Sequence, residues 1–144
     1  MIVNRRICLA GFMAFVAVCA VAQDPVPQVK HAPAAATSPA SSKDMFMSYC
    51  AACHGKDAKG NGPAATALNV APADLTALAK KNGGKFPSDR VATVLNGQAN
   101  LAAHGNKEMP VWGPIFWRMS GGHEGEVQQR IANLSHYLES VQQK

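Results

Sequence analysis

The chain of 144 residues has few aromatic side chains: Phe, Trp and Tyr together make up 6% of it. Apolar residues still reach 47%, so one domain with a packed core can form. A small domain with few large side chains often depends on a metal, a disulfide or a cofactor for its stability. The sequence has only four cysteines, and their positions indicate which of these applies.

A membrane-spanning hydrophobic run is also missing. The apolar stretch at residues 7–22 has 16 residues, whereas a spanning helix needs about 20. Arg5 and Arg6 precede it, and residues 20–22 (Ala-Val-Ala) end it with the small residues of a cleavage site. Residues 1–22 are therefore predicted to be a cleaved signal peptide of a protein exported to a bacterial periplasm. The alternative is an uncleaved segment that tethers the protein to the membrane.

Cleavage there would remove Cys8 and Cys19 and leave Cys50 and Cys53, too few for a disulfide framework. It would also leave 12 of the 14 basic residues against 9 acidic ones, a net charge of about +3. The basic residues are scattered along the chain, which argues against nucleic acid as a partner.

Local patterns divide the rest of the chain into a linker and one domain. Residues 23–42 are rich in proline, alanine and serine, so we expect a linker without regular structure. The folded domain is predicted over residues 43–144.

Four helices are predicted from capping residues and from apolar residues at helical spacing. They are expected at residues 43–50, 74–81 and 88–96 and in a last segment that starts at Glu124. Ser42 and Asp74 are the predicted caps of the first two. The last helix has one apolar face, formed by Val127, Ile131, Leu134, Leu138 and Val141. Residues 98–113 are expected to be a loop. Strand-like alternation is missing, so the predicted fold class is all-α with long loops.

The remaining cysteines form the motif Cys50-Ala51-Ala52-Cys53-His54, which is the attachment sequence of c-type heme. Two thiols at this spacing can add to the two vinyl groups of the porphyrin, and the histidine that follows can reach the iron. A thioredoxin-like site would need a preceding strand, and a zinc site would need two more ligands. A disulfide across two residues would be strained. The motif therefore predicts one covalent heme c with its iron.

A second axial ligand must come from farther along the chain. Methionine suits low-spin iron opposite histidine, and Met109, stiffened by Pro110, is the favoured candidate. Met119 is its nearest rival, and His104 would instead give a bis-histidine heme. Trp112, Phe116 and Trp117 follow Met109 and could cover a heme edge.

With these motifs, the sequence resembles a monoheme class I c-type cytochrome over residues 43–143. The matching features are Cys-Ala-Ala-Cys-His-Gly at 50–55, Gly-Asn-Gly-Pro-Ala-Ala at 60–65, Pro-Ala-Asp-Leu at 72–75 and Glu-Met-Pro-Val-Trp-Gly at 108–113. The resemblance implies a cytochrome c-like fold in which the terminal helices cross, with Phe46 against Tyr137 or Leu138. It also implies that a proline carbonyl accepts the Nδ1–H of His54; Pro63 is favoured and Pro72 is the alternative.

The expected function is that of a single-electron carrier rather than an enzyme, because His54 and Met109 together would leave iron no position for a substrate. Apolar residues are expected around the ring: Leu68, Leu75, Val91, Val94, Ile115, Leu134 and Leu138. The expected partners are redox proteins, steered by Lys56, Lys59, Lys80, Lys81 and Lys85, and a monomer is expected. One alternative is a heme subunit or domain that feeds a larger oxidase or dehydrogenase. Another is a ligand-binding or peroxidatic heme, with His104 or His123 beside an open sixth position.

Overall fold

The computed structural model describes residues 35–98 and 109–143, which lie in one compact unit. The predicted signal peptide, most of the predicted linker and His104 lie outside the described residues. The described helices are α1 (Ser42–Tyr49), α2 (Ala51–His54), two 3₁₀ turns (Ala65–Ala67 and Leu75–Ala77), α3 (Leu78–Lys81), α4 (Ser88–Asn96), α5 (Trp112–Met119) and α6 (Glu124–Ser140). The described ranges contain no strand, and the all-α prediction is confirmed. No helix within them is long and apolar enough to cross a membrane.

The core forms where α1 packs against α6. Phe46 and Leu134 are at most 1% exposed, and the rings of Phe46 and Tyr137 have centroids 5.0 Å apart. This confirms the predicted crossing of the terminal helices. Full burial of side chains of this size stabilises a domain by about 1.5–3 kcal/mol each. The α1–α6 contact is therefore a main source of the domain's stability.

The helix predicted at residues 88–96 is confirmed as α4, and its end shows why it stops there. Gly97 adopts φ 76°, and its N–H bonds the carbonyls of Thr93 and Val94. A Cβ at this position would meet the side chain of Val111 at 2.1 Å. Only glycine fits both the left-handed backbone and the close approach.

Of the two predicted helix caps, one is confirmed and the other is wrong. Asp74 is the cap it was predicted to be, because its carboxylate accepts hydrogen bonds from Thr76 N–H at 2.9 Å and Thr76 Oγ1 at 2.6 Å. The first turn that it caps is 3₁₀, and α3 follows. The prediction for Ser42 was wrong: Ser42 is the first helical residue of α1, Ser41 is the N-cap, and no side chain caps this end.

Helix α5 was not predicted. The sequence indicated a loop up to residue 113 and no helix directly after it. Pro114 and Gly113 lie in its first turn, where a missing N–H is harmless. Trp112 and Phe116 are four residues apart and pack with Tyr49 of α1, at centroid distances of 5.2 and 5.8 Å from its ring. These tertiary contacts stabilise a helix whose local sequence signal is weak.

Candidate heme site

The described residues form an apolar cleft of about 530 Å³. Its walls come from the end of α1, from α2, from the loop at residues 68–75, from α3 and α4, and from residues 109–110. Sites for cofactor-sized ligands have volumes of about 300–1,000 Å³ and mostly apolar walls. The cleft therefore fits a group of the size and character of heme.

The attachment motif forms one helical turn on this cleft. The N–H groups of Cys53 and His54 both bond the carbonyl of Cys50, at 3.1 and 2.8 Å. Both cysteines and His54 line the cleft, whereas Ala52 is exposed and Ala51 is buried against the core. A sequence spacing of three and four residues thus places two thiols and one imidazole on the same side of the helix.

The two thiols are free and partly buried. Burial, and secondarily the neighbouring Cys53, raises the pKa of the Cys50 thiol to about 12. Cys50 is therefore a neutral thiol at pH 7. A neutral sulfur tolerates an apolar cleft.

The predicted acceptor for His54 was wrong. Nδ1 of His54 lies 3.0 Å from the carbonyl oxygen of Ala73, not from that of Pro63 or Pro72. Pro63 is exposed, and the Pro72 carbonyl is directed at Gly60, where a Cβ would lie 2.3 Å from it. With Nδ1 as donor to Ala73, Nε2 keeps the lone pair that a metal ligand needs.

The loop after the motif folds back onto α2 through its glycines. The N–H groups of Gly60 and Gly62 bond the carbonyls of His54 and Cys53, at 2.7 and 3.0 Å. A Cβ on Gly62 would lie 2.3 Å from the carbonyl of Ala52, so only glycine permits this approach. The loop thereby satisfies carbonyls at the end of α2 that have no helical partner.

Met109 lines the same cleft as His54, and so does Pro110. Met119 and His123, the other described residues considered for the iron site, lie elsewhere. Sδ of Met119 is 3.7 Å from the hydroxyl of Tyr49, and Met119 does not line the cleft. Nδ1 of His123 is 2.7 Å from the carbonyl oxygen of Ser120, also away from it. Among the described candidates, Met109 alone shares the cleft with the attachment motif.

The walls of the cleft differ in part from those expected. Leu68, Leu75, Val91, Val94 and Leu138 line it as predicted, but Ile115 and Leu134 do not. Leu134 is 1% exposed, inside the α1–α6 core.

The aromatic residues expected over a heme edge also lie elsewhere. Trp112 and Phe116 are buried beside Tyr49, and Trp117 is 47% exposed outside the cleft. Sequence reasoning missed Tyr49 as a cleft residue, although its place directly before Cys50 was a usable signal. It also missed Arg90, which lies on the cleft in the first turn of α4.

Comparison with known families bears on most of the described unit. Residues 37–117, more than half of the chain, match the family model of cytochrome c oxidase, cbb3-type, subunit III. The chain belongs to this family, and its helical fold is the cytochrome c-like fold that the sequence predicted. The match ends within α5, so α6 lies beyond it. No curated protein and no solved structure matches the chain.

Proposed function

We propose that the protein is an exported single-electron carrier that holds one heme c through Cys50 and Cys53, with His54 and Met109 as axial ligands. The observation that carries this proposal is that both thiols, the imidazole and the thioether of Met109 all line one apolar cleft. When bound, heme supplies an iron that takes up and releases one electron. The protein residues supply attachment, orientation and exclusion of water.

Each residue has a separate task in this proposal. The two cysteines anchor the group covalently, so it cannot dissociate outside the cytoplasm. The hydrogen bond from His54 to Ala73 orients the imidazole and makes it a stronger donor. Met109 would supply the second protein ligand of the iron, so that no position would be left for a substrate. The apolar walls raise the reduction potential because they disfavour the more charged ferric form.

Electron transfer requires a partner, and the rim of the cleft offers a surface for one. Val70, on the cleft wall, is 48% exposed, and Lys81 and Arg90 also lie on the cleft. An apolar rim with basic neighbours suits a weak complex with an acidic redox protein. Reduction rates that do not change with ionic strength would count against this steering.

The family match favours a second candidate function for the same site. In that case the chain is a heme subunit that passes electrons to a larger oxidase rather than a free carrier. The two functions predict different states in the cell envelope: a free monomer of the mature size, or a stable complex. Native-size separation with heme detection distinguishes them. Mass spectrometry of the mature N-terminus tests whether residues 1–22 are removed or retained as a tether.

The decisive experiment is the absorption spectrum of the ferric protein, produced with heme-maturation machinery, beside Met109→Ala and Met119→Ala. A sulfur-to-iron band at long wavelength should be present in the parent and in Met119→Ala but lost in Met109→Ala. Met119 is the matched control because it is a half-buried methionine outside the cleft. A high-spin parent, or a band that survives in Met109→Ala, would contradict the proposed ligation and favour an open sixth position or another ligand.

A further inference from the structure

Residues 35–41, called the N-terminal segment here, are fastened to α1 by one side chain. The hydroxyl of Tyr49 accepts a hydrogen bond from Thr37 N–H at 2.9 Å and lies 2.9 Å from Thr37 Oγ1. It also donates to the carbonyl of Ala35 at 2.9 Å. One phenol thus holds three polar atoms of a stretch that the sequence assigned to a linker.

Two side chains of α6 hold the same segment from a second direction. Arg130 Nη1 donates to the carbonyl of Thr37, and Asn133 Nδ2 donates to that of Pro39, each at 2.8 Å. Arg130 is 2% exposed, and its ion-pair partner Glu126 is 2.7 Å away. Because a buried guanidinium needs acceptors for its protons, detachment of the segment would leave a buried charge poorly satisfied. The segment is therefore part of the domain.

Tyr49 also belongs to the heme cleft. Tyr49 lines the cleft and directly precedes Cys50, and its ring packs against Trp112 and Phe116. The same residue therefore joins the N-terminal segment to the cleft wall beside the attachment motif.

We propose that Tyr49 is a positioning residue of the heme site and that the N-terminal segment, by holding its hydroxyl, keeps this wall of the cleft closed to water. The inference rests on the carrier function proposed above. Water at the heme stabilises the ferric form, which carries the additional charge. Release of the segment should therefore lower the reduction potential without removing either axial ligand.

The test uses the full-length, heme-loaded protein with the variants Tyr49→Phe, Asn133→Ala and Gln128→Ala. Asn133→Ala loosens the segment without changing charge and without touching the cleft. Gln128→Ala is the control, since this amide lies on the same helix but donates to Glu124 at 2.6 Å. Two quantities are measured: amide hydrogen exchange at Thr37, which reports the segment, and the reduction potential, which a purely structural clamp would leave unchanged.

Tyr49→Phe should speed exchange of the Thr37 amide by roughly tenfold or more. It should also shift the reduction equilibrium about three- to tenfold toward the ferric form, where tenfold corresponds to about 59 mV for one electron. Asn133→Ala should change both quantities in the same direction by less, and Gln128→Ala should change neither.

Two results would overturn the inference. One is rapid Thr37 exchange in both variants at an unchanged potential, which would leave the segment as a structural clamp alone. The other is a potential shift in Tyr49→Phe while Asn133→Ala releases the segment without a shift, because the effect would then belong to the hydroxyl itself. Failure of the carrier function is visible separately, in the parent protein, as missing covalent heme or the lack of a reversible one-electron step.

Discussion

Two sides of the domain are built in different ways. The helix side (α1, α5 and α6) buries large side chains such as Phe46, Phe116 and Leu134, each at most 1% exposed. The cleft side (residues 50–87) consists of short helical turns joined by loops, and none of residues 63–75 is buried. Its three leucines and its one valine, Val70, all line the cleft. The helix side can thus be stabilised by its own packing, whereas in the proposed function the cleft side would be completed by the heme.

The largest expected effect comes from removing the two cysteines that would hold a heme in the cleft. Cys50→Ala combined with Cys53→Ala should abolish covalent heme, measured as heme retained on the chain after denaturing electrophoresis. Amide exchange should then rise more on the cleft side, for example at Gly62 and Leu75, than in the α1–α6 core. Ala52→Ser is the control, because this exposed position lies between the two cysteines. Equal loss of protection on both sides would erase the proposed difference between them.

A truncation in the helix side should have the next largest effect. Phe46→Ala removes a fully buried ring from the α1–α6 contact and should lower the free energy of unfolding by about 3–5 kcal/mol. Leu68→Ala, in the cleft wall, should cost less than half of that in heme-free protein, since this side chain is only half-buried there. Urea unfolding of both variants measures the two values. A larger loss for Leu68→Ala would reverse the comparison.

Substitution of Gly60 tests how closely the cleft-side loop approaches the backbone at Pro72. Gly60→Ala places a Cβ 2.3 Å from the Pro72 carbonyl at φ +82°, and it should cost about 2 kcal/mol or more. Gly83→Ala is the matched control: its φ is +66°, but no atom lies within 4 Å of the added Cβ. Thermal unfolding should therefore show a smaller loss for Gly83→Ala. Equal losses would mean that backbone strain alone matters and that the close approach does not.

The smallest expected effect concerns the cap of the turn before α3. Hydrogen bonds from the Thr76 side chain and N–H, together with Lys81 and Lys59, lower the pKa of Asp74. A lowered folded-state pKa stabilises the fold above the unfolded pKa, and this contribution is lost as the pH falls below about 4. Asp74→Ala should cost about 1 kcal/mol at pH 7, and the difference from the parent should shrink by pH 3.

Asp89→Ala provides the comparison for this cap. Asp89 is an exposed acid in the first turn of α4, an end without a side-chain capping bond. Its replacement should have a smaller effect on the melting temperature at pH 7. A difference between Asp74→Ala and the parent that stays constant from pH 7 to pH 3 would contradict the role of the charged carboxylate.

Much of this architecture could be predicted where the interactions are local in sequence. The attachment motif, the bounds of α4, the Asp74 cap and the apolar face of α6 depend on residues within about one or two turns of each other. The crossing of Phe46 and Tyr137 came instead from resemblance to a family.

The features that sequence reasoning missed or misplaced depend on residues far apart in the chain. Helix α5 is stabilised because Trp112 and Phe116 pack against Tyr49, which lies more than 60 residues earlier in the chain. The N-terminal segment docks because Arg130 and Asn133 reach back more than 90 residues. No local propensity encodes such pairs, since their free energy appears only after the intervening chain has closed.

The sequence by itself supplied the chemistry that the proposed function uses: two thiols and one histidine at the spacing of a c-type heme attachment motif, followed by a methionine that could serve as a second ligand. The tertiary structure decided where that chemistry sits. It brought Met109 to the same cleft, directed Ala73 rather than a proline at His54, and made residues 35–41 part of the domain. Identity and spacing of reactive groups are covalent properties of the chain, whereas the partner of each group is set by packing between distant segments.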